Sequence, residues 1–285
     1  MRLKRNFYLK TDPDKAKIAV SILPLAEFVE KIGGEFVSIT VMVPPGASPH
    51  AFEPKPSQMV ELSKADMYVK VGTPIEFELA WMEKITGINK NMMVVNASKG
   101  ISLESTELKH DHDESDDHHN HHVGGLDPHT WLSPKNAIIM VENIYEGLVS
   151  LFPDKQKTFE KNKIDYVNEL INLDKEIKEK LRNKESRKFM VYHPAWGYFA
   201  REYHLEQISI ENEGKAPTAA GIQHLIEQAK ENSIRIIFAS PQFDTNNAEL
   251  IAREIGGKVI LVSTLEKNYI QNVERLAQSL YEALE

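Results

Sequence analysis

Eight short runs of β-branched and other apolar residues punctuate the chain, most of them followed by a loop and an amphipathic segment. In the first half they are "KIAVSI" (17–22), "VSITVMV" (37–43), "MYVKVG" (67–72) and "MMVVNAS" (92–98). In the second half they are "KFMVYH" (188–193), "EQISIEN" (206–212), "IRIIFAS" (234–240) and "KVILVS" (258–263). Strands that alternate with helical segments imply parallel pairing, because a parallel pair needs a long crossover that a helix supplies. Helical candidates in the second half include "TAAGIQHLIEQAKEN" and "NNAELIAREIGG", the latter ending in a glycine pair suited to a helix C-terminus. Residues 154–185 contain neither Pro nor Gly, and Ile164, Val167, Leu170, Ile171, Ile177 and Leu181 fall at helical spacing. A helix there is roughly 45 Å long at about 1.5 Å per residue. The expected fold is therefore α/β: two parallel-sheet lobes, residues 1–153 and 186–285, with the helix over 154–185 either packed on the surface of one lobe or standing as one long rigid helix that joins the two.

With 285 residues, 41% of them hydrophobic, the chain can bury a substantial core, which excludes a disordered or fibrous class. Its formal charge of −8 and the lack of a long basic run argue against a nucleic-acid partner. No cysteine is present, so disulfides, thiolate metal sites and a cysteine nucleophile are excluded. The N-terminal "MRLKRNFYLKTDPDK" has the basic residues of an export signal without the apolar core that should follow. Either the protein is intracellular, or an export signal or anchor is missing from this form.

The histidines are unevenly placed. "HDHDESDDHHNHH" (110–122) holds six of the eleven, together with five carboxylates. With no apolar residue it cannot form a packed element, so a mobile loop acting as a low-affinity metal collector or sensor is expected. Among the remaining five, His50, His129 and His193 each lie after an expected strand, flanked by Pro and aromatic residues: Pro49 and Phe52, Pro128 and Trp131, and Pro194, Trp196 and Tyr198. Ligands bind outside the carboxyl ends of parallel strands, so these three can converge in a cleft between the lobes. His204 and His224 lie away from strand ends and are expected to be structural or exposed. Three imidazoles suit zinc, although copper, nickel and iron accept the same donor.

Four segments carry a resemblance. "PPGASPHAFEPKPSQMVELSKADMYVKVG", "DPHTWLSPKNA", "HPAWGYFAREYHL" and "SPQFDTNNAELIAREIGG" resemble, in the same order, segments of the solute-binding proteins that serve ABC importers of zinc and manganese. That family, cluster A-I, has two α/β lobes joined by one long helix with the metal in the cleft. The resemblance implies His50, His129 and His193 as metal ligands. A histidine at the third position and an acidic, His-rich insertion are similar to the zinc members, whereas manganese members tend to have glutamate at that position. Where many members have an aspartate ligand this chain has Ser263, and Ser240 stands where an acidic residue often precedes Pro-Gln-Phe. The fourth position then falls to water or to another carboxylate such as Asp244 or Glu53.

The function this implies is capture of zinc, with manganese as the alternative ion, and its delivery to an ABC permease. The protein is expected to be an extracytoplasmic monomer, periplasmic or cell-surface and membrane-anchored, with no catalytic activity. Two other readings of the residues are a zinc hydrolase using three histidines and a water, and a zinc buffer or chaperone. Against the hydrolase, no general base stands beside the ligand motifs as in an H-E-x-x-H helix.

Overall fold

The computed structural model describes residues 15–105, 125–211 and 214–284. The histidine-rich run at 110–122 and the N-terminal basic stretch lie outside the described residues. In the first lobe, β1 (Ala16–Val20), β2 (Val37–Val41), β3 (Met67–Lys70) and β4 (Met93–Asn96) form one parallel sheet in the order β2-β1-β3-β4. In the second, β5 (Lys188–Val191), β6 (Glu206–Ser209), β7 (Ile236–Ala239) and β8 (Lys258–Leu261) repeat it as β6-β5-β7-β8. All eight expected strands are present, each ending before the last residues of its apolar run. Some of those trailing residues still bond the neighbouring strands: Met42 N–H donates to Val20 O (2.9 Å), Val43 N–H to Ser21 O (3.0 Å) and Tyr192 N–H to Phe238 O (2.8 Å).

Helices cover the sheets. The first lobe carries α1 (Leu23–Gly33), α2 (Pro56–Leu62), α3 (Glu76–Ile88) and α4 (Pro134–Leu151). The connecting helix is α5 (Gln156–Leu181). The second lobe adds α6 (Gly197–Glu202), α7 (Ala219–Glu231), α8 (Asn246–Glu254) and α9 (Tyr269–Ala283). Their ends follow sequence chemistry. Ser133 caps α4, with Pro134 at the first helical position, where a missing N–H costs nothing. The expected glycine pair closes α8 as a Schellman motif: Gly256 (φ +66°) donates to Arg253 O at 3.2 Å and Gly257 to Ala252 O at 2.7 Å.

α5 has 26 residues and is about 39 Å long, shorter than the expected 154–185 span. Pro153–Lys155 form a separate 3-10 turn before it, and the Arg187 guanidinium donates to Leu181 O and Arg182 O at its end (3.0 and 2.7 Å). Its buried stripe is Phe159, Tyr166, Leu170, Leu173, Ile177 and Leu181. Ile164 and Ile171, expected in that stripe, are instead about half exposed (50% and 48%). Phe159, Tyr166 and Leu173 take the core-facing places because they share the helical phase of Leu170, Ile177 and Leu181.

α9 returns from the second lobe to the first and joins it to α5. The Phe28 and Tyr269 rings meet edge-on at 5.1 Å, and the buried Glu27 carboxylate accepts from Tyr269 N–H (2.7 Å) and the Tyr166 hydroxyl (2.9 Å). One large apolar core therefore runs through the first lobe, α5 and α9 and continues into the second lobe at Phe189, Val191, Phe199 and Phe238. A smaller one, including Met190, Ile208, Leu225, Ile237 and Ile251, belongs to the second lobe alone. No helix among the described residues is long and apolar enough to cross a membrane.

Candidate metal centre

Both strand orders reverse direction at the middle of the sheet, between β1 and β3 and between β5 and β7, and the loops beyond those strands face one another. His50 stands on the loop after β2. That loop is tied down where Pro49 O accepts from Phe77 N–H (3.0 Å), at the start of α3. His129 stands after β4, where Pro128 O accepts from the Thr73 hydroxyl (2.8 Å) and Thr130 shares a hydrogen bond with Ser98 (2.9 Å). The turn before α3 thus holds the carbonyls that precede both histidines. His193 is two residues past β5 in the other lobe.

The three rings come together. Their centroids lie 4.8 Å (His50–His193), 5.1 Å (His129–His193) and 6.0 Å (His50–His129) apart. One donor nitrogen from each lies within 4.8 Å of the others, and the Nε2 atoms of His129 and His193 are 3.2 Å apart. Donors about 2.05 Å from a tetrahedral zinc are separated by about 3.3 Å, so this pair is already at ligand spacing.

Each ring is oriented by a carboxylate on its other nitrogen. His50 Nδ1 is 2.7 Å from Glu76 Oε2, His129 Nδ1 is 2.9 Å from Asp127 Oδ1, and His193 Nδ1 bonds Glu211 Oε1. An ionised carboxylate only accepts, so the proton sits on Nδ1 and the Nε2 lone pair of each neutral imidazole is left for a metal. Burial pushes the His193 imidazole below the usual histidine range, outweighing the opposing bond to Glu211, with His129 and His50 adding to the depression. Burial raises Glu76, but its hydrogen bond and charge interaction with His50 prevail and leave its carboxyl below the ordinary value.

These three carboxylates escaped the reading of the sequence. Glu211 was findable once the β5–β6 register is known. Val191 pairs with Ser209, so residues two further on, His193 and Glu211, leave the sheet side by side. Phe243 was also missed. Its ring stacks on His193 (4.7 Å, 26°), lies 6.3 Å from His50 and 5.9 Å from Tyr192, and forms an apolar wall.

The carboxylates considered for a fourth position are not brought in. Among the described residues the donor group consists of His50, His129 and His193. Asp244 instead accepts from Asn246 N–H (3.0 Å) and the Asn246 side-chain amide (3.1 Å), and Glu53 is outside the group. The Ser263 hydroxyl accepts from Leu265 N–H (3.1 Å) in its own turn. His204, in a turn at φ +56°, and His224, on α7, are exposed and apart from the cluster.

Comparison with known proteins identifies the family. Residues 18–283 match the family model of the periplasmic zinc-uptake complex component A, ZnuA. The chain belongs to the ZnuA family. It is 33% identical to the high-affinity zinc uptake system protein ZnuA of Bacillus subtilis, over 89% of this chain and 79% of that protein. It is 30% identical to the zinc-binding lipoprotein AdcA of Streptococcus pneumoniae over 93% of this chain, and spans only 55% of AdcA's length. A crystal structure of a ZnuA deletion mutant with zinc bound superposes with a TM-score of 0.86 at 38% identity, covering 95% of this chain and 99% of that one. The two-lobed fold with a long connecting helix is thus a ZnuA-type fold.

Proposed function

We propose that this chain captures one zinc ion between its lobes on His50, His129 and His193 and surrenders it to an ABC-type permease. The observation that carries this is the convergence of three imidazoles from both lobes, each with Nδ1 bonded to a carboxylate and one donor nitrogen within 4.8 Å of the others. Neutral nitrogen donors with no carboxylate in the first set favour zinc over the harder Mn²⁺, and a water completes the tetrahedron. The names of the relatives, a zinc uptake protein and a zinc-binding lipoprotein, support the same cargo.

The reading requires no reaction. The three carboxylates beside the cluster hold imidazole protons, which orients ligands and leaves hydrolysis without an assigned base. The periplasmic family and the lipoprotein relative support an extracytoplasmic, membrane-anchored protein that meets its permease at the membrane. Competitive titration of metal-stripped protein against a chromophoric chelator tests the assignment. One tight zinc per chain, with Mn²⁺ far weaker, is expected, and His50→Ala should abolish the tight phase. Equal affinity for Mn²⁺ would overturn the zinc preference, and an unchanged tight phase in the variant would overturn the ligand set.

A further inference from the structure

Tyr198 is a buried residue of α6 in the second lobe, yet its hydroxyl serves the first. It donates to Asp127 O (3.0 Å) and accepts from Glu104 N–H (3.1 Å). Asp127 N–H in turn donates to Glu104 O at 2.8 Å, and beside them Ser105 and Leu126 form an antiparallel bridge. The two ends of the stretch that carries the histidine-rich run therefore meet under one hydroxyl from the opposite lobe. Arg201 lies over the Tyr198 ring at 5.0 Å and 3.9 Å from the Glu104 carboxylate, so the same helix contacts this junction again.

Asp127 is also the orienting partner of His129. Its Oδ1 accepts from both the main-chain N–H and the Nδ1–H of His129, each at 2.9 Å. Its Oδ2 occupies space that exists because residue 197 is glycine: a Cβ there would lie 2.5 Å from it. α6 thus fixes Asp127 twice, through the Tyr198 hydroxyl on its main chain and through the room that Gly197 leaves for its carboxylate. A buried carboxylate whose Oδ1 accepts from both the main chain and the ring of His129 leaves that ring little freedom, which lowers the ordering cost of binding a metal.

We propose that Tyr198 is a positioning residue for metal capture. By holding Asp127 from the second lobe, it makes the orientation of His129 depend on the lobes being docked. The proposal rests on His129 being a zinc ligand, as assigned above. Where the lobes part, the Tyr198 bond is lost and Asp127 keeps only its first-lobe contacts with Glu104 and His129, so His129 is oriented less firmly and opening is coupled to release of the ion.

Tyr198→Phe keeps the ring and removes only the hydroxyl. Zinc affinity, read by chelator competition, should fall roughly tenfold, the low end of what losing an orienting partner costs. The visible spectrum of the protein loaded with one equivalent of Co²⁺ should change in band shape, a response that loss of stability alone does not produce. In an Asp127→Ala background the same substitution should have little further effect. Gly197→Ala, which displaces the carboxylate without touching the hydroxyl, should reproduce the affinity loss. Wild-type affinity with an unaltered cobalt spectrum in Tyr198→Phe overturns the proposal, as does a loss that persists undiminished without the Asp127 carboxylate. The ligand assignment fails separately, if the wild-type chain binds no tight zinc or His129→Ala leaves the binding intact.

Discussion

At the scale of single residues, the centre is decided by which nitrogen each imidazole spends on a carboxylate. Glu76, Asp127 and Glu211 each accept from one Nδ1–H, so three carboxylates orient the rings from behind and leave the Nε2 atoms to face one another. Glu211 is the most telling, since it reaches His193 from the neighbouring strand and is 5% exposed. Glu211→Gln preserves the shape but loses the charge that strengthens the ligand. Zinc affinity should then drop by about tenfold or more, measured by competition with a chelator, and an affinity equal to wild type would show that the carboxylate is not needed. Phe243 acts differently, covering His193 with an apolar face and limiting water's approach from that side.

At the scale of elements, the start of α3 is the joint on which the first-lobe ligands depend. Glu78 lies inside it, accepting from the Ser21 hydroxyl (2.6 Å), Val71 N–H (2.6 Å) and Gly72 N–H (2.9 Å). Burial holds its carboxyl above the ordinary value, against those three bonds. Between the unfolded value of about 4.3 and the raised folded one, the native chain binds more protons than the unfolded chain, so this group's contribution makes stability fall as pH rises through that window. Glu78→Gln should flatten that part of the dependence, checked by thermal melts from pH 4.5 upward, and an unchanged slope would contradict the assignment. At the end of α8, a Cβ on Gly257 would lie 2.1 Å from Arg235 O. Gly257→Ala should therefore destabilise the second lobe by roughly 1–3 kcal/mol in denaturant unfolding. Strand positions were legible in the sequence because parallel strands buried on both faces read as short continuous apolar runs. The stripe of α5 was misplaced because Phe159, Tyr166 and Leu173 face the core where Ile164 and Ile171 do not. The histidines could be read as strand-end residues, whereas Glu76 and Glu211 become partners only once sheet order and register bring separate elements together.

At the scale of the molecule, the lobes are joined at several places besides the contacts of Tyr198. Far from the cleft, the Glu27 carboxylate binds Tyr166 of α5 and Tyr269 of α9. Near it, Trp131 Nε1–H, 1% exposed in the first lobe, donates to Thr264 O of the second at 2.8 Å. A metal held by both lobes would add a further joint and should stabilise the whole chain. At free zinc a thousandfold above Kd the gain is about 4.1 kcal/mol, seen as a rise in Tm that His193→Ala removes. The central claim, that one ion sits on one histidine from each of three loops, is tested most directly by zinc-edge anomalous diffraction from crystals grown with one equivalent of zinc. A single strong peak among the Nε2 atoms of His50, His129 and His193 is the predicted result, and a principal peak held by other residues, with these three rings empty, would contradict it.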